Sequence, residues 1–414
     1  MTKQMFVIVG ASLAGAKAAE ELRNQGFDGR IVLIGDEDEL PYERPPLTKD
    51  YLRGESPREK ARVHEDGFYE HHDIELLSAV TVTAIEPAER RVFIDGNPGP
   101  VYDRLLIATG SQPRELGIPG AGLEGVHYLR TLADCDALRA RFQAGGKVVV
   151  IGAGWIGAEF AASARQRGLD VTVIEPATVP LERVLGKELG GFYGDVHRGH
   201  GVELRTGTGV DAFEGEGAVE GVRTSDDQSI ACDFVVVGVG VIPRVGLAQA
   251  AGATIEDGIV VDEMLATSLP GIFAAGDVAN AWHPFFARQI RVEHWANALN
   301  QGPSAARSML GQGVAYDRLP YFFSDQYDVG MEYSGYATDW DEIVYRGALA
   351  DGAFIAFWLK DQRVIAGMNV NVWDVNEQVQ TLIRSRQQID VAALLDEDTP
   401  LRELVDQPDG VDGQ

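Results

Sequence analysis

Residues 6–36 read FVIVGASLAGAKAAEELRNQGFDGRIVLIGD, and this stretch decides the fold. Phe6–Val9 is a short apolar run, the pattern of a strand buried on both faces. Apolar residues then take helical spacing from Ala14 to Leu22, and Gly26 ends the helix. Ile31–Ile34 reads as a second buried strand, with Asp36 at its end. Strand, glycine turn, helix, strand and acid in this order form a dinucleotide-binding βαβ unit. Gly10 permits the tight turn, and Gly15 lets helix and strand approach closely. The helix start points free N–H groups at a pyrophosphate. Asp36 can accept hydrogen bonds from a ribose diol. Ser12 stands where the middle glycine is usual, and its small side chain is expected to leave room for phosphate. An ordinary tight turn in an α/β domain is the plainer explanation of the glycines.

The pattern restarts at Lys147–Pro176, KVVVIGAGWIGAEFAASARQRGLDVTVIEP. Here the fingerprint is complete in Gly152, Gly154 and Gly157, with Ile156 inside it, and Glu175 closes the next strand. An acid there favours a free ribose 2′-OH and repels a 2′-phosphate, so NADH is expected over NADPH. One chain thus carries two dinucleotide folds. Around them, residues 40–64 read as a proline-rich loop carrying Arg44 and Lys49. On its own, that loop is equally a surface connection. Residues 74–107 read as inserted antiparallel strands. Tyr102–Ser111 ends a buried strand on Thr109 and Gly110, where glycine lets a backbone approach a ligand. The segment GIFAAGD delivers Asp277 to a turn, and a helix follows around Trp295. Beyond Tyr316 the pattern becomes antiparallel strands, then a helix to about Arg386 and an acidic tail.

Composition excludes several classes. The chain of 414 residues carries a net charge of −27, against nucleic acid and anionic membrane surfaces. It contains no apolar run of the roughly 18 residues that a membrane span needs. No signal-peptide pattern opens it, so a cytoplasmic location is expected. Its two cysteines, Cys135 and Cys232, form no C-x-x-C pair and read as buried thiols. No metal site is expected.

Two nucleotide folds, the T-G strand end, the A-A-G-D segment and a β-rich C-terminal region together resemble the FAD-dependent pyridine nucleotide–disulfide reductase superfamily. Within it, RPPLTK at 44–49 and SDQYD at 324–328 resemble the oxygenase-coupled ferredoxin reductases, of the putidaredoxin and rubredoxin reductase type. The resemblance implies an α/β fold with two Rossmann-like, glutathione-reductase-like dinucleotide domains and an α+β C-terminal domain. Its expected bounds are 1–112 with 242–318 for FAD, 113–241 for NAD, 319–402 for the C-terminal domain and 403–414 for the tail. It implies that Ala14 and Asp36 bind the adenosine half of FAD, and that Arg44 and Lys49 lie along the pyrophosphate and flavin. Val82, Arg130 and Trp295 become further FAD contacts, with Asp277 on the ribityl chain. Trp155 screens the flavin until nicotinamide displaces it, and Lys49 and Glu159 form a pair near flavin N5. The activity implied is NADH-dependent reduction of a ferredoxin, bound transiently, that feeds an oxygenase or P450. A rubredoxin reductase, an NADH-dependent oxidase and a signalling flavoprotein are the alternatives. Two departures stand: Ser12, and Phe323 where tryptophan is more usual. Two basic segments, Arg53–Arg62 and Arg288–Arg291, are candidates for a rim that steers an acidic ferredoxin; scattered solvated charge is the alternative.

Overall fold

In a computed structural model that describes residues 3–405, the run before Gly10 becomes the strand Met5–Val9, central in a five-stranded parallel sheet. Arg30–Ile34 and then Ile74–Leu77 flank it on one side, Arg104–Ile107 and Ile272–Ala274 on the other. Phe6, Val7, Ile8 and Val9 are all buried, as a central parallel strand requires. The second fingerprint builds a second five-stranded parallel sheet around Lys147–Ile151. There Asp170–Glu175 and Glu203–Thr206 lie to one side, with Phe234–Val237 and Val126–Tyr128 to the other. In both sheets the strand after the fingerprint helix pairs on one side of the first strand and a later strand pairs on the other. That reversal of order opens a crevice at the strands' carboxyl ends, where ligands of such sheets bind.

The repeat extends to the insertions. A three-stranded antiparallel sheet, Val82–Glu86, Arg91–Ile94 and Asn97–Val101, interrupts the first fold. Another, Val210–Glu214, Gly221–Thr224 and Ser229–Ala231, interrupts the second at the corresponding place. Ile74–Leu77 departs from the expectation of antiparallel strands: it pairs in parallel with Arg30–Ile34 and belongs to the main sheet. Its period-2 pattern reflects an edge position with one face partly covered, not an antiparallel neighbour. The proline-rich segment is also more ordered than a loop, with a 3-10 turn at Pro45–Thr48 and a helical turn at Asp50–Arg53.

Two units result. The first comprises the chain up to Glu115, Leu129–Arg139 and Gly240–Arg318; the second comprises Leu116–Tyr128, Ala140–Val239 and the chain from Leu319. In the second, five antiparallel strands run in the order Tyr321–Gln326, Val329–Gly335, Arg363–Val370, Phe354–Lys360 and Glu342–Arg346. Met331, Trp358 and Met368 of that sheet share one core with Leu185, Leu189 and Tyr193 of the helix Glu182–Gly199. The helix Asn376–Ser385 ends at Arg386, as the pattern indicated. Of the acidic tail, Leu401–Glu403 forms a short turn with Leu401 buried, and residues 406–414 lie outside the described residues. Among the described residues no helix is long and apolar enough to cross a membrane.

In the first unit the fingerprint helix Leu13–Asn24 packs on Trp295–Met309. Gly302 makes the approach possible, since a Cβ there would stand 2.3 Å from the Ala14 carbonyl oxygen. Gly302→Ala should therefore overpack this contact and cost about 1–3 kcal/mol, read as a lower unfolding temperature. Gly191→Ala, inside a helix where a Cβ meets nothing within 4 Å, should be neutral or stabilise by up to about 1 kcal/mol.

Candidate cofactor sites

Each fingerprint turn is shaped by backbone that lacks room for side chains. A Cβ on Gly10, whose φ is +116°, would lie 2.1 Å from the Ala108 carbonyl oxygen, and one on Gly15 would lie 2.0 Å from that of Gly10. In the second turn Gly152 has φ +93°, with its Cβ position 2.6 Å from the Gly238 oxygen; the Gly157 position is 2.0 Å from the Gly152 oxygen. Gly154 is different: a Cβ there meets nothing within 4 Å. Its φ of −74° and ψ of −178° suit any residue. The middle glycine is therefore not needed for packing, which leaves open space for a ligand. Ser12 holds the equivalent N-cap place with φ −110° and ψ −163°, so serine brings no backbone strain. Neither helix has an acid in its first turn, so the positive end of each dipole remains uncompensated by the chain.

The acids after the turns are held differently. Glu175 accepts hydrogen bonds from the backbone N–H of Ala153 at 2.6 Å and of Ala177 at 2.9 Å, which fixes its carboxylate at the fingerprint. Asp36 is half-exposed and pairs with Arg244 at 2.9 Å. Arg244 was not singled out from sequence. It is anchored by the T-G strand end: the Thr109 hydroxyl donates to its carbonyl and its own N–H donates to the Gly110 carbonyl, both at 2.9 Å.

Of the expected flavin-side residues, Gly10, Ser12, Asp36, Arg44, Val82, Thr109 and Arg130 line one cleft of about 420 Å³ in the first unit, joined by Tyr42 and Arg244. Arg44 donates to the Arg130 carbonyl, which sets two guanidinium groups side by side. Arg130 donates to Asp277 at 2.9 Å, while its buried Nε finds no acceptor among the described residues. Burial, with repulsion from Arg44, lowers the Arg130 pKa despite Asp277. An anionic pyrophosphate fits this donor set, because it offers acceptors and relieves the repulsion. Ala14 and Gly15 stand behind the cleft as packing residues. Gly110 and Asp277 stand beside it, through Arg244 and Arg130 respectively. Lys49 closes the Pro45–Thr48 turn. Trp295 opens its helix after His294, whose imidazole burial pushes down to about 4, and the neighbouring Glu43 carboxyl is pushed up by burial.

In the second unit Trp155 and the half-buried Ile156 begin the helix Trp155–Gln166. The Trp155 ring makes edge contacts with Tyr193 and Phe322, at centroid separations of 5.9 and 5.0 Å. Glu159, one turn on, is buried and accepts a hydrogen bond from the Ser324 hydroxyl at 2.7 Å. Ser324 lies in the SDQYD segment, for which sequence reading assigned no role.

Both thiols are buried, and burial pushes each up to about 12. Cys135 does approach the RPPLTK segment, donating to the Leu47 carbonyl at 3.4 Å, but as a protonated packing group. The basic rim also changes on inspection. Arg53 pairs with Glu55, Arg58 with Glu39 and Asp136, Arg62 with Asp66, and Arg291 with Asp257 and Glu293. These cations are largely neutralised by their neighbours, and Arg58→Glu would break two ion pairs rather than report on docking alone.

Residues 4–302 match the pyridine nucleotide-disulphide oxidoreductase family, and residues 321–405 match the reductase C-terminal domain. The chain belongs to the pyridine nucleotide-disulphide oxidoreductase family. A probable ferredoxin reductase of Castellaniella defragrans is 42% identical over 365 residues, covering 88% of this chain and 89% of that one. Putidaredoxin reductase of Pseudomonas putida is 37% identical over 405 residues, 96% of each chain. The solved complex of putidaredoxin reductase with putidaredoxin matches with a TM-score of 0.94 and 37% identity, over 98% of both chains. FAD and NAD(H) are the cofactors this family membership implies, and the two cradles have the donor sets they need.

Glu175→Arg should raise use of NADPH relative to NADH by about tenfold or more, through loss of a repulsion and gain of a phosphate partner. Steady-state kcat/KM for both nucleotides checks this; an unchanged ratio removes Glu175 from the specificity role.

Proposed function

We propose that this chain carries electrons from NADH through FAD to a small iron–sulfur ferredoxin, which then feeds an oxygenase or a cytochrome P450. What carries the reading is the state of the two cysteines. A chain of this family has two dinucleotide cradles but only buried, protonated thiols, so electrons have no dithiol to pass to and must leave by an external carrier. Relatives named as ferredoxin reductases of demethylase and dioxygenase systems support the choice of carrier.

In this proposal the first unit holds FAD, with the dipole of Leu13–Asn24, Arg44 and Arg130 on its pyrophosphate and Asp36 on its ribose. Asp277 and Trp295 serve the remainder of the cofactor, as the resemblance implies, with Val82 and the Thr109–Gly110 strand end on the adenosine side. The second unit, through Ala140–Val239, holds NADH at Gly152–Gly157 and Glu175. Bound FAD supplies the step between two-electron and one-electron chemistry. The protein's own task is to orient nicotinamide, exclude other acceptors and favour charge on the reduced ring. We assign that last role to Lys49 and Glu159, and the screening role to Trp155, as the resemblance implies. Because NADH is a cytoplasmic reductant, the proposal places the protein in the cytoplasm, where its ferredoxin docks transiently.

The test is NADH oxidation with a panel of ferredoxins and cytochrome c as final acceptor. At least one ferredoxin should raise the cytochrome rate well above the reductase alone. If none does, and NADH is consumed with equal hydrogen peroxide formed, the protein is an oxidase. Cys135→Ala with Cys232→Ala should leave ferredoxin-linked turnover within a factor of about two, since neither thiol joins the electron path. Lys49→Ala should slow flavin reduction about 10- to 100-fold with NADH affinity nearly unchanged, the signature of a charge acting on the transition state. Stopped-flow bleaching of the flavin absorbance measures both.

A further inference from the structure

Behind Glu159 the second unit contains a continuous chain of buried polar groups. The Ser324 hydroxyl donates to Glu159 Oε1 at 2.7 Å. Gln326 Nε2 contacts Ser324 Oγ at 3.3 Å, and Gln326 Oε1 contacts His197 Nε2 at 2.9 Å. His197 Nδ1 contacts the Tyr327 hydroxyl at 3.3 Å. Ser324, Gln326 and His197 are 1%, 0% and 2% exposed, so none exchanges partners with water. The Tyr327 ring, stacked on His200 at 3.7 Å, closes the outer end.

The chain has one consistent direction, and the carboxylate sets it. A carboxylate only accepts, so the single proton of Ser324 goes to Glu159. Ser324 Oγ must then receive a donor, which is the amide NH2 of Gln326. The Gln326 oxygen is left to face His197, which therefore carries its proton on Nε2. His197 Nδ1 becomes an acceptor, and the Tyr327 hydroxyl donates to it. The neutral imidazole this requires agrees with its burial, which pushes His197 down to about 4. Reversing any one link leaves two donors or two acceptors face to face in a dry interior.

We propose that Ser324, Gln326 and His197 are positioning residues for the electron-transfer reaction. Through this one-way chain they fix the rotamer of the Glu159 side chain. The chain is not a proton wire, because the Gln326 amide does not pass a proton on. It is a static array of dipoles, all with their positive ends toward Glu159. The SDQYD segment thereby acquires a function: two of its alternate residues, Ser324 and Gln326, point inward from one strand and carry the array from the helix Glu182–Gly199 to the helix Trp155–Gln166.

The inference rests on the reading of Glu159 as part of the catalytic machinery, and the experiment separates the two. Flavin reduction by NADH is followed by stopped flow in Glu159→Gln, Ser324→Ala, Gln326→Glu and the Glu159→Gln/Ser324→Ala double variant, alongside thermal unfolding of each. Ser324→Ala should slow the limiting rate about tenfold, which corresponds to about 1.4 kcal/mol and the loss of one charge-assisted hydrogen bond, with little change in NADH affinity. Ser324→Thr, which keeps the hydroxyl, should restore most of the rate. Gln326→Glu keeps the volume but reverses the polarity, drawing the Ser324 proton away from Glu159; it should slow reduction as much as Ser324→Ala. The double variant should be no slower than Glu159→Gln alone, because Ser324 acts only through that carboxylate. If Glu159→Gln is slow while Ser324→Ala and Gln326→Glu match the unaltered protein, the positioning role is wrong. Additive losses in the double variant would also overturn it. If Glu159→Gln itself leaves the rate unchanged, the catalytic reading of Glu159 fails, and the positioning role falls with it.

Discussion

The structure depends on one steric constraint, met twice: a helix must start where a strand ends, with no room for a Cβ between them. Gly10 with Gly15, and Gly152 with Gly157, each put two backbones within van der Waals contact. Close approach brings the first N–H groups of each helix to the carboxyl edge of its sheet. The open space at Gly154 and the relaxed backbone at Ser12 then leave that edge accessible. The rest of each cradle is placed by that edge. Glu175 is bound to the second turn by its own backbone amides, and Asp36 emerges from the strand beside the first.

Charge is handled locally. The chain is strongly acidic, yet two of its arginines meet in the first cleft. Arg130 and Arg44 sit together at considerable desolvation cost, which an isolated structure has no reason to maintain and a pyrophosphate-binding one does. Other arginines of the first unit have a different role. Arg58 ties Glu39 to Asp136, and Arg291 ties Asp257 to Glu293, so these cations staple the segments of the first unit rather than project a basic field.

Burial, not sequence separation, decides which polar groups are chemically active. The two thiols sit in apolar surroundings that keep them protonated. His197 is equally buried, but its neutral ring is integrated in a chain of hydrogen bonds that ends on Glu159. The same desolvation thus silences the cysteines and gives direction to the array behind Glu159.

The sequence by itself determined the two parallel folds, their glycine turns and acids, and the antiparallel C-terminal sheet. Those features are encoded by neighbours: apolar runs, glycine spacing and alternation act within a few residues, and they survive any tertiary arrangement. Four things were decided only by the tertiary structure. Ile74–Leu77 alternates like an antiparallel strand, but its partner, Arg30–Ile34, is parallel and lies some forty residues earlier. Arg244 meets Asp36 across 208 residues of chain, and Ser324 meets Glu159 across 165. Arg53, Arg58, Arg62 and Arg291, four members of the basic segments read in one dimension, meet their acids in three. Each case turns on which group fills the space opposite a side chain. No local pattern carries that information, because the partner is selected by how the sheets and helices pack.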